Sequence, residues 1–106
     1  MTGGDLAFVD ELVDTYIEEG ERLVDALRMA VSAGTPDALV MPAHSLKSSS
    51  VNLGAFELGE QCRDLEAQAR AGTVSDAGAR VEAIETSFAG ARRELFEMRE
   101  DRPAQP

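Results

Sequence analysis

His44 is the chain's single histidine, and Lys47 and Ser48 follow it at three and four residues. In a helix these three side chains share one stripe about a turn long. A neutral imidazole is a nucleophile. An ammonium one turn away suits a phosphoryl group placed on the ring, because charge-assisted contacts to phosphate oxygens are strong. Ser48 is small and keeps the approach open. Val40 and Val51 extend the stripe with apolar residues where a purely solvated face would be charged, which marks a docking surface. A lone surface histidine is ordinarily just solvated; its neighbours set this one apart. One histidine makes no metal site, no Gly-rich phosphate loop occurs, and no acid stands four residues from His44 to serve as a base.

Four helices must position these residues. From Asp5 to about Ala33, apolar or small residues recur at 6, 9, 13, 16, 20, 23, 27 and 30, alternating spacings of three and four, as one long amphipathic helix requires. Gly20 weakens it by roughly 1 kcal/mol relative to Ala, so a bend is expected there, and Gly34 ends it. Thr35-Pro36-Asp37 opens a second helix, with Thr35 as cap and Asp37 at the positive end of the dipole. Its core stripe is Leu39, Ala43, Leu46, Ser50 and Leu53. Pro42 lies inside, where it either kinks the helix or marks its true start. On a wheel with Ala43 at zero, the stripe centres near about −40° and His44 falls near about +100°, on the solvent side.

A third helix runs from about Phe56 to Ala71 on Leu58, Cys62, Leu65 and Ala69. The fourth, with Ser75 and Asp76 as cap candidates, has the stripe Ala77, Val81, Ile84, Phe88, Ala91, Leu95 and Met98. Nothing alternates with period two. The expected fold is all-α, an antiparallel four-helix bundle with a long first helix, spanning residues 1–100 with a disordered tail over 101–106.

Composition narrows the function. Only 5% of residues are aromatic and Trp is absent, so the core is aliphatic. The net charge of −10, from 20 acidic and 10 basic residues, repels nucleic acid and anionic membranes, and neither is an expected partner. Cys62 is the sole cysteine and reads as a small core hydrophobe in a reduced compartment. No apolar run approaches the ~20 residues that cross a bilayer, and Met1 to Asp10 lacks the build of a signal peptide. A cytoplasmic location is the expectation. Ser49 and Ser50 read as packing and solvation, and Asn52 as support for the helix end near Gly54. Phe8 and Leu12 widen the first helix's apolar arc and add to the core or to the docking surface.

The segment from Ala43 to Ala55, AHSLKSSSVNLGA, resembles the signature of histidine-containing phosphotransfer (HPt) domains: a His, a Lys at +3, a small residue at +4 and a Gly at +10. The resemblance continues through Leu58, Cys62, Leu65 and Glu66 and spans about Phe8 to Met98. The family most often has Gly after the Lys, where this chain has Ser48. The resemblance implies a phosphoryl carrier with no catalytic centre of its own, accepting the group on His44 from a receiver-domain aspartyl phosphate and passing it to another receiver. Lys47 would then stabilise the phosphoryl group and Ser48 would keep access open. It also implies no cofactor of its own, a divalent metal held by the partner, and receivers of response regulators or hybrid histidine kinases as partners of a monomer. The alternatives are the phosphotransfer module of a chemotaxis-type kinase and a receiver-binding helical adaptor that transfers nothing.

Overall fold

The computed structural model describes the backbone of residues 3–100 and the side chains of residues 6–99. The tail expected over 101–106 lies outside the described residues. Four helices follow one another: α1 (Gly3–Ala33), α2 (Asp37–Asn52), α3 (Phe56–Arg70) and α4 (Ala77–Glu100). Each packs on the next and α4 closes on α1, an up-down-up-down bundle. No strand occurs among the described residues, and no helix in them is long and apolar enough to cross a membrane.

The stripes meet in one core, aliphatic except for the rings of Tyr16 and Phe88. Val13, Tyr16, Ile17, Val24, Leu27 and Ala30 of α1 face Leu39, Ala43 and Leu46 of α2, Leu58, Cys62, Leu65 and Ala69 of α3, and Val81, Ile84 and Phe88 of α4. Burial pushes the Cys62 thiol up to about 12, which keeps it protonated and inert. Ser50 does more than pack: its hydroxyl and that of Tyr16 share a buried hydrogen bond of 2.8 Å, which satisfies two polar groups inside the core. Two expected core residues are exposed instead, Val9 at 48% and Met98 at 68%. Both lie on the apolar stripe, but at the ends of α1 and α4, past the reach of the shorter α2 and α3.

Local expectations fare variously. Gly34 and Gly54 end their helices with φ of +69° and +85°, where glycine carries no Cβ penalty. The next amide in each case donates back to a carbonyl five residues earlier, Thr35 to Ala30 and Ala55 to Ser50. Thr35 does not cap α2; its hydroxyl donates to the Ala33 carbonyl at 3.4 Å. Helix α2 runs through Pro42 from Asp37 rather than starting there, and the ring leaves the Ala38 carbonyl without its amide donor from residue 42. Gly20 serves close packing: a Cβ there would stand 2.2 Å from Cε1 of Phe88.

Candidate functional site

The seam between α2 and α3 sets the site's geometry. Val51 meets Gly59, where an added Cβ would lie 2.7 Å from Val51 Cγ2. The absent side chain lets the two helices approach closely. Seven residues back along α2 and seven forward along α3, two turns in each, the same antiparallel register sets His44 opposite Glu66.

His44 is therefore not fully on the solvent side. Its side chain is 45% exposed, tilted toward α3, and Nδ1 lies 3.0 Å from Glu66 Oε2. Lys47 Nζ pairs with the other carboxylate oxygen, Oε1, at 3.2 Å. Arg70, the last residue of α3, donates Nε and Nη2 to Oε2 at 3.0 and 2.8 Å. Glu66 is thus a nearly buried carboxylate with donors from three side chains. Its burial alone would raise the carboxyl pKa, but hydrogen bonds from Arg70, Lys47 and His44 outweigh that and lower it to about 2.

The ring's protonation follows. An ionised carboxylate only accepts hydrogen bonds, so Nδ1 carries the hydrogen and donates it to Glu66. In the neutral ring Nε2 then holds the free lone pair, and the ring is half open to solvent. The arrangement presents one fixed nucleophilic nitrogen, with a cation a turn away and an anion behind the ring to offset positive charge on it.

Of the other site residues read from the sequence, Ser48 is exposed and Val40 is half-buried against the core. Val51 is 44% exposed on the seam. Phe8 and Leu12, at 61% and 46% exposed, line a groove between α1 and α2 with Thr15, Ser49, Asn52 and Leu53. Sequence reasoning gave Glu66 no role and passed over Arg70. The missed signal was an acid at apolar spacing: Glu66 follows Cys62 by four and precedes Ala69 by three, and Arg70 is its i+4 partner. No group of three or more potential metal ligands occurs among the described residues.

The family model of the Hpt domain matches residues 11–94. A crystal structure of histidine-containing phosphotransfer protein B from Pseudomonas aeruginosa PAO1 is similar at 34% sequence identity and a TM-score of 0.81. The match covers 94% of this chain and 91% of that one. Comparison with curated proteins gave no match.

Proposed function

Because this chain belongs to the Hpt domain family, phosphotransfer intermediates of two-component signalling, we propose that it carries a phosphoryl group on Nε2 of His44 between receiver-domain aspartates. The observation that carries the reading is the Glu66–Nδ1 hydrogen bond, which leaves Nε2 as the one nitrogen able to attack. The Nε2 lone pair forms a bond to phosphorus as the P–O bond to the receiver's aspartate breaks, and the carboxylate leaves with the electron pair. The ring becomes positive and keeps its Nδ1 hydrogen on Glu66. A second receiver's aspartate takes the group by the reverse step. The receiver contributes the divalent metal; this monomeric chain contributes the nucleophile, its orientation and a docking face. Val40 and Val51 flank His44 on that face, with the Phe8–Leu12 groove beyond.

The test mixes the protein with a receiver charged by a small phosphodonor. One phosphoryl group is expected on nitrogen, labile to acid and stable to base, and none with ATP and magnesium alone. His44→Gln should accept nothing while its helical circular dichroism and Tm stay nearly unchanged. Acceptance by the glutamine variant, or an acid-stable and base-labile product, would move the site to a hydroxyl in the 45–50 segment. Efficient labelling by a chemotaxis-type kinase core, with receivers inactive, would make the chain a kinase module instead.

A further inference from the structure

In the resting protein Lys47 Nζ pairs with Glu66, at 3.2 Å from Oε1. Once a phosphoryl group is present on Nε2 it carries up to two negative charges beside a cation only one turn away. A Lys47 that turns to it gives up a carboxylate whose side chain is 9% exposed. A carboxylate so buried, left with a single imidazole donor, would hold its lysine, because an undercompensated buried charge is costly. Arg70 changes that balance. Its two donors grip Oε2, the oxygen that Lys47 does not use, from one turn along α3.

We propose that Arg70 is a positioning residue: it secures Glu66 against His44 so that Lys47 can exchange the carboxylate for the phosphoryl group on Nε2. The inference rests on His44 as acceptor. No covalent bond is made or broken in the exchange, and no proton moves; an ammonium trades one oxygen partner for another. With Lys47 on the phosphoryl group, the formal charges of ring, Glu66, phosphoryl group, Lys47 and Arg70 cancel. Without Arg70 one negative charge stays uncompensated beside the phosphohistidine.

A double-mutant cycle tests this. Wild type, Lys47→Ala, Arg70→Ala and the double variant are charged by the same receiver. Phosphohistidine lifetime and the single-turnover transfer rate at saturating receiver are then read in each. Arg70→Ala should shorten the lifetime or slow transfer roughly ten- to a hundredfold when Lys47 is present, the worth of one charge-assisted contact. The same change should have less than about a twofold effect in the Lys47→Ala background. Arg70→Lys, which keeps a cation on Glu66, should recover most of the loss. Equal factors in both backgrounds, or no loss with Lys47 present, would overturn the proposal. A fall in Tm with the same factor in both backgrounds would reduce Arg70 to a structural ion pair. Failure of the acceptor assignment would look different, as labelling that survives His44→Gln.

Discussion

Glu66→Gln keeps the shape of the side chain and removes its charge. In the native site Oε2 accepts the Nδ1 hydrogen of His44 at 3.0 Å and Oε1 faces Lys47 at 3.2 Å. As Nε2 attacks phosphorus the ring gains positive charge, so the bond to the carboxylate strengthens toward the transition state and accelerates transfer. A hydrogen bond to a charged acceptor contributes about 1.5–3 kcal/mol and a neutral one about 0.5–1.5. The difference of roughly 1–1.5 kcal/mol corresponds to about a tenfold slower transfer. The amide also offers an N–H as well as a C=O, so it can hydrogen-bond either ring tautomer and Nε2 is no longer the one free nitrogen. The assay is single-turnover transfer from a charged receiver, with ¹⁵N chemical shifts of the His44 ring read in the same variant. Unchanged rate together with a ring still protonated only on Nδ1 would refute the role given to Glu66. Acid provides a second reading. Against an ordinary value of 4.5, a folded pKa of about 2 makes Glu66 stabilising above roughly pH 5, with that contribution lost as pH falls toward 2. The slope of Tm against pH across this window should therefore be shallower in Glu66→Gln than in wild type.

Two further outcomes are expected. Gly20→Ala improves helix propensity by roughly 1 kcal/mol, but it drives a Cβ to 2.2 Å from the Phe88 ring. Overpacking costs of about 1–3 kcal/mol should leave a net loss seen as a lower urea midpoint, and a rise in the midpoint would contradict the packing. Val51→Glu places a charge on the half-exposed seam near His44 and should raise the apparent KM for a phosphorylated receiver roughly three- to tenfold, with the product still on nitrogen. An unchanged KM, or chemical-shift changes with a receiver confined to α3 and α4, would remove Val51 from the docking face.

The fold was legible in the sequence wherever one helix's period decides the outcome. Leu39, Ala43, Leu46 and Ser50 are all buried as their spacing required, because helices on both sides cover that stripe. Periodicity fails where the neighbours stop. Helices α2 and α3 have 16 and 15 residues against 31 in α1, and Tyr16 already meets Ser50 near the end of α2. Val9, about two turns further out, keeps the right phase but is 48% exposed past the ends of α2 and α3. The candidate site was half legible for a related reason. His44 and Lys47 lie on one helix, so their spacing shows them together, whereas the wheel placed His44 in solvent because it knows nothing of α3. Glu66 becomes its partner only through the register that Val51 and Gly59 hold, and no single stripe contains that register. Yet the sequence does hold a trace of it. An acid at a core-phase position is costly unless cations reach it. Arg70, one turn along the same helix, meets part of that need, and the facing helix must supply the rest. On α2 the one basic side chain is Lys47, a turn from His44, so the burial of Glu66 itself draws the histidine's stripe toward α3.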